Sequence, residues 1–203
     1  HLSTWTNFKN RYWPAHYLIN KSGEVVYTHF GEGNYAQTEN NIRHLLSIKD
    51  KAEIAPEIST IAKGQTAETY LGAARAKNFV AKDEGTDKLE LGKKHYNFPD
   101  SLPAHSWALR GAWQVEGEKI TSNEKDAALR LNFFAKKIFL VMSTATGKPI
   151  SAAVKLNDKL VKEIIVSQST LYELLEQNIT ENGLLEITAG DSGLELYAFT
   201  FGI

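Results

Sequence analysis

The side chains that could do chemistry here are aromatic rings, histidines and scattered hydroxyls, because the 203 residues include no cysteine. Without a thiolate there is no nucleophile for disulfide exchange. His16, His29, His44, His95 and His105 show no short spacing of the His-x-x-x-His kind, so no metal site is expected. The serines lack a nucleophile-elbow context, and Gly190-Asp191-Ser192-Gly193 reads as a hairpin turn. Gly31-Glu32-Gly33 lacks the further glycines and the lysine of a phosphate loop. The sequence therefore predicts no catalytic residue and no cofactor. What remains is an aromatic group. Trp107 and Trp113 are six apart in a strand-like run and should share a face. Tyr96 and His105 lie nearby in sequence. Exposed, these four residues would form a platform for ligand binding, on which sugar faces stack. Buried, the tryptophans would be core, the commoner use of such large rings. Gly111 between them is a candidate bulge that would change their relative facing.

The composition narrows the setting. Hydrophobic content is 42%, charged content 23%, and the net charge is −1. No strong charge field is present to attract nucleic acid. The longest apolar run, Ile138 to Met142, is far short of the roughly 18 residues that a spanning helix needs. A length of 203 residues fits one or two domains.

The elements around these residues change character along the chain. Trp5 and Phe8 are three apart and would share a face of a short helix over 2–9. Pro14 has no N–H for a sheet ladder, so it belongs at the start of a strand over 16–19. Asn20-Lys21-Ser22-Gly23 is a turn, followed by a strand over 24–30. Helical periodicity then runs from 36 to 48, with Ile42, Leu45, Leu46 and Ile48 on one face. Pro56, Gly64 and small polar residues mark 51–69 as a linker. From 70 to 203 short β-prone runs recur at close spacing, over 107–116, 128–135, 137–143, 150–157, 160–166, 171–175, 184–189 and 194–202. Turn clusters such as Asn182-Gly183 separate them. That spacing predicts a jelly-roll-like β-sandwich.

The first of these blocks resembles the C-terminal half of a thioredoxin-like α/β domain. Arg11-Tyr12-Trp13-Pro14-Ala15, with Gly31-Glu32-Gly33-Asn34-Tyr35, is similar to the periplasmic redoxin segment of DipZ-type thiol-disulfide interchange proteins. The second block resembles the same family through Tyr70-Leu71-Gly72, Trp107 to Trp113, Leu171-Tyr172 and Tyr197 to Gly202. In that family a β-sandwich like carbohydrate-binding modules follows the redox domain. The fold expected from the resemblance is an α+β fragment over 1–50, the linker, and an all-β module.

The resemblance also implies function. Its members are membrane-anchored and periplasmic, and take electrons from a membrane-embedded donor domain to protein disulfides, with cytochrome c maturation as one setting. Trp13 and Pro14 would bind substrate beside a cysteine pair, and the Trp13-Pro14 bond would be cis. That cysteine pair, on which the family's reaction depends, is absent from these residues, so the chain as given is expected to be redox-inactive. The alternatives for the β module are carbohydrate or cell-envelope binding, or a structural role. A hairpin with one helix leaves an open sheet edge, which makes a homodimer a further expectation.

Overall fold

The computed structural model describes residues 3–10, 14–30, 35–48, 64–82 and 89–202. The chain divides into two compact units, 1–60 and 61–203.

The first unit is a short helix, a hairpin and a second helix: α1 Ser3–Asn7, β1 Ala15–Ile19, β2 Val25–Phe30 and α2 Tyr35–Leu45. Pro14 sits directly before β1, where its missing N–H costs nothing. The hairpin turn is built on Asn20. Its Oδ1 accepts from the backbone N–H groups of Ser22 (3.0 Å) and Glu24 (2.9 Å), and Gly23 takes the left-handed φ of 83° that the turn needs. Both helices end in the same way. Ser47 (φ 59°) and Lys9 (φ 50°) are left-handed, and the residues after them, Ile48 and Asn10, donate back to Arg43 and Trp5. These are Schellman caps with a non-glycine residue at the left-handed position. They explain why α2 stops at Leu45 rather than continuing to 48.

Phe8 packs on Tyr17 of β1, with ring centroids 4.7 Å apart. The short helix thus has a partner within its own unit. No residue of α2 is buried. Ile19, Val25, Val26, Ile42, Leu46 and Ile48 are 41–61% exposed. The described part of this unit has apolar faces but no closed core.

The second unit is antiparallel sheet: β3 Thr69–Tyr70, β4 Gly92–Tyr96, β5 Trp107–Val115, β6 Ile120–Ser122, β7 Ala128–Thr144, β8 Ile150–Leu156, β9 Lys159–Val166, β10 Thr170–Ala189 and β11 Leu194–Gly202. The order is β3-β11-β6-β5-β7-β10-β8-β9, with β4 beside β5 and a further pairing of β11 with β7. A β-rich unit is shown, but the pairing does not divide into the two separate sheets of the expected sandwich. The reason is β7. Its residues 128–131 pair with β5, and its residues 137–144 pair with β11. One long strand therefore carries the ladder from one part of the sheet to the other.

Two pairs of expected strands are fused. Residues 128–135 and 137–143 form one β7, and 171–175 and 184–189 form one β10. Asn182-Gly183 is not a hairpin turn; it lies mid-strand opposite Phe134 and Phe133. A Cβ on Gly183 would stand 2.6 Å from Cζ of Phe133, so glycine is needed for close approach rather than for a turn. The ladder absorbs the irregularity through register shifts between Glu173 and Leu175 and between Glu176 and Glu181.

The unit begins before residue 70. Thr66 N–H donates to the Phe134 carbonyl at 2.9 Å, and the Thr66 hydroxyl accepts the Phe134 N–H at 2.8 Å. Residues 64–69 therefore belong to the β unit rather than to the linker, whose residues 51–63 lie outside the described residues. The core runs along the inward face of β7, with Leu129, Leu131, Phe133 and Ala135 all buried. On β11 both alternating sets are mostly buried, and both of its edges are paired, by β6 and β3 on one side and β7 on the other.

Candidate functional site

Trp13 lies outside the described residues, and so does the geometry expected of the Trp13-Pro14 bond. Pro14 is partly buried at the entry to β1.

The structure separates the four residues of the aromatic group. Trp107 and Trp113 are 0% and 1% exposed. Their indole N–H groups donate inside the protein, to the carbonyls of Lys77 (2.9 Å) and Arg110 (3.0 Å). Tyr96 is buried edge-on against Phe79 at 5.6 Å, and Phe79 lies 4.8 Å from Trp107. These three rings are core and offer no face to a ligand. Gly111 between the two tryptophans has a left-handed φ of 86°, and both rings are buried on either side of it. His105 alone lies at a surface cleft.

A different set of residues forms a cleft of about 430 Å3, within the range of small-ligand sites. Ala108 and Arg130 line it, and they belong to a longer cross-strand row. Ala108, Arg130, Glu186 and Lys155 are successive register partners on β5, β7, β10 and β8. Arg130 Nε donates to Glu186 at 2.7 Å, and an Arg130 terminal nitrogen lies 3.3 Å from Asp158. Lys155 donates to the other Glu186 oxygen at 3.3 Å. Burial pushes the Glu186 carboxyl up, but hydrogen bonding and charge from Arg130 and then Lys155 win, so its pKa lies below the usual value. Ala108 is small and leaves the end of the row open.

Phe98 closes that end. Its ring centroid is 4.4 Å from the Arg130 guanidinium carbon and 5.3 Å from that of Arg110. The segment 98–102 is held to the sheet by Asn132, whose Nδ2 donates to the Leu102 carbonyl at 2.8 Å. Asn182 and Leu184 line the opposite side, and Asn157 lies at the rim. Asn157 uses its Oδ1 to accept the Leu184 N–H at 3.0 Å, which leaves its amide NH2 as a further donor. The lining combines the Phe98 ring and small Ala108 with amide groups at Asn157 and Asn182, beside the charged Arg130 and Asp100. Amide donors and acceptors beside a ring can engage hydroxyl groups. Sequence reasoning missed it. In the run over 128–135, Arg130 and Asn132 alternate with Leu129, Leu131 and Phe133, which marks them as one face of a strand. Nothing in the local pattern joined them to Phe98, more than 30 positions earlier.

The second cleft, of about 560 Å3, contains His105 with Thr66, Tyr70, Arg75, Lys77 and Asn78. Arg75 lies over the Tyr70 ring at 3.7 Å, and the Tyr70 hydroxyl donates to Glu68 at 2.7 Å. Burial and then the Glu68 hydrogen bond push the Tyr70 pKa to about 12.

Residues 66–202 match the family described as the thioredoxin like C-terminal domain, and the chain belongs to that family. Over 98% of its length it is 33% identical to Protein DipZ of Mycobacterium bovis, and equally to Protein DipZ of Mycobacterium tuberculosis. It covers 28% of each, so it spans little more than a quarter of their length. A family two carbohydrate esterase from Cellvibrio japonicus aligns with TM-score 0.42 and 13% identity, over 67% of this chain and 33% of that one. A family 35 carbohydrate binding module from Clostridium thermocellum aligns with TM-score 0.31 and 12% identity, over 66% and 95%. Likeness at that level carries no argument about the ligand.

Proposed function

We propose that this chain is a non-catalytic region of a periplasmic, membrane-anchored thiol-disulfide oxidoreductase. A cysteine pair elsewhere in the same protein performs the exchange, drawing electrons from a membrane-embedded donor domain. Protein disulfides are the substrates, those of cytochrome c maturation among them. Trp13 and Pro14 contact the substrate chain beside the mixed disulfide. The observation that carries this reading is the identity to the DipZ proteins across both units, in a chain that itself has no cysteine. Among the described residues no helix is long and apolar enough to cross a membrane, so the anchor in this reading lies outside them. The test is disulfide reduction by the whole reading frame with and without Pro14→Ala. Loss of turnover with an unchanged melting temperature supports the role of Pro14. Unchanged turnover contradicts it.

A second reading concerns the β unit, and the Phe98 cleft favours it. There the unit binds neutral carbohydrate of the cell envelope and so positions the redox chemistry. Spare amides at Asn182 and Asn157 beside Phe98 support this choice of ligand. Glycan-array binding that Phe98→Ala and Asn182→Ala abolish supports it. An array without hits returns the unit to a structural role.

A further inference from the structure

The His105 cleft has a chemistry that neither reading uses. Its polar groups are biased towards donors. Thr66 Oγ1 accepts the Phe134 N–H and lies within hydrogen-bond distance of Nδ1 of His105, 2.8 Å away. In the neutral tautomer whose Nδ1 accepts from Thr66, Nε2 carries the hydrogen and is left to donate. Arg75 is stacked on Tyr70, which holds its planar fork in place. Neither Arg75 nor Lys77 forms an ion pair with a carboxylate among the described residues, and both side chains are exposed at the cleft. Glu68, the one carboxylate lining it, accepts the Tyr70 hydroxyl.

The backbone that presents these donors is rigid. Asn78 and His105 both hold left-handed conformations, at φ 57° and 61°. The Asn78 side chain donates to the His105 carbonyl at 3.2 Å. Buried Trp107 ties down the same stretch, donating from its backbone N–H to Asn78 (3.0 Å) and from its indole to Lys77 (2.9 Å). Left-handed non-glycine residues persist where the surroundings over-determine them, and they cluster at binding sites. The Arg75 guanidinium, the Lys77 ammonium and the His105 imidazole, lining one cleft of about 560 Å3, match a ligand that offers acceptors.

We propose that this cleft binds the oxyanion of a small molecule, a carboxylate or a phosphate, through Arg75, Lys77 and Nε2 of His105. The site is separate from the Phe98 cleft and does not depend on it. The test is amide and imidazole NMR titration of the 203-residue chain with citrate, inorganic phosphate and, as a neutral control, glucose. Citrate or phosphate is expected to shift the signals of residues 75–78 and 105 saturably, and glucose to leave them in place. The stronger of the two anions identifies the oxyanion class. Lys77→Gln, at an exposed position, is expected to keep the fold and weaken binding about tenfold, while Lys148→Gln at a distant turn leaves it unchanged. No saturable shift with either anion, or equal affinity in Lys77→Gln and the parent, overturns the site.

Discussion

Arg130 and Glu186 face each other as register partners on neighbouring strands, with Nε and Oε2 2.7 Å apart and the carboxylate side chain only 5% exposed. Removing the cation leaves a buried charge with Lys155 alone to balance it. Arg130→Ala is expected to cost about 3 kcal/mol at neutral pH, in the range for breaking a buried pair. Denaturant unfolding measures this. The pH dependence has a definite sign. The folded Glu186 pKa is lowered, so its contribution is present above the ordinary carboxylate value and fades as pH falls through the lowered folded value. The gap between Arg130→Ala and the parent should therefore narrow in acid.

Gly183→Ala tests the close approach of β10 to Phe133. The added methyl meets Cζ of Phe133 at 2.6 Å and Cδ1 of Leu156 at 2.9 Å. Overpacking of this kind costs about 1–3 kcal/mol. Phe133→Leu in the same chain should recover part of that loss. A double-mutant cycle of unfolding energies reads the coupling.

Trp107→Ala and Trp113→Ala should each destabilise by about 3–5 kcal/mol, because both rings are core. Phe98→Ala, at a cleft wall, should cost much less. Thermal melts of the three variants separate core from surface directly. A large loss for Phe98 and none for the tryptophans would reverse the assignment.

Tyr70 and Tyr197 make the β unit sensitive to alkali. Burial and then the hydrogen bond to Glu68 push Tyr70 to about 12, and burial with the Glu195 hydrogen bond does the same for Tyr197. The folded values lie above the unfolded value near 10, so the contribution is complete below pH 10 and is lost as pH rises towards 12. Urea midpoints should fall between pH 9.5 and pH 11.5, taken as roughly the edges of that window. Tyr197→Phe should flatten the fall.

The exposed Ile42, Leu46, Val25 and Val26 lead to an expectation of self-association for the isolated 203-residue chain. Sedimentation at micromolar concentration should show a dimer. Leu46→Lys should shift it towards monomer. A monomer at every concentration would leave those faces to a partner of different identity.

Much of this architecture was legible locally. Asn20 to Gly23 gave a turn because an Asx side chain and a glycine satisfy its backbone without help from elsewhere. The strand over 194–202 was legible because a β-prone run follows the turn residues Gly190-Asp191-Ser192-Gly193. The fused strands were not legible. Lys136 and Asn182-Gly183 look like breaks until Phe133 is known to lie across from Gly183. The caps at Lys9 and Ser47 were hidden because neither residue is a glycine. The clefts were hidden for the same non-local reason: Phe98 with Arg130, and Thr66 with His105, meet only through sheet pairing. The aromatic spacing at Trp107 and Trp113 did not show that both rings are buried.

The central claim is that the redox chemistry belongs to a cysteine pair elsewhere in the protein and that these residues serve it. The direct measurement is protein-disulfide reduction, with insulin as substrate and an added dithiol electron donor. The 203-residue chain and the product of the whole reading frame are compared at equal concentration. The account predicts turnover by the whole protein, lost when its cysteines are changed to serine, and none above buffer for the 203-residue chain. Turnover by the cysteine-free chain, or none by the whole protein, would contradict it.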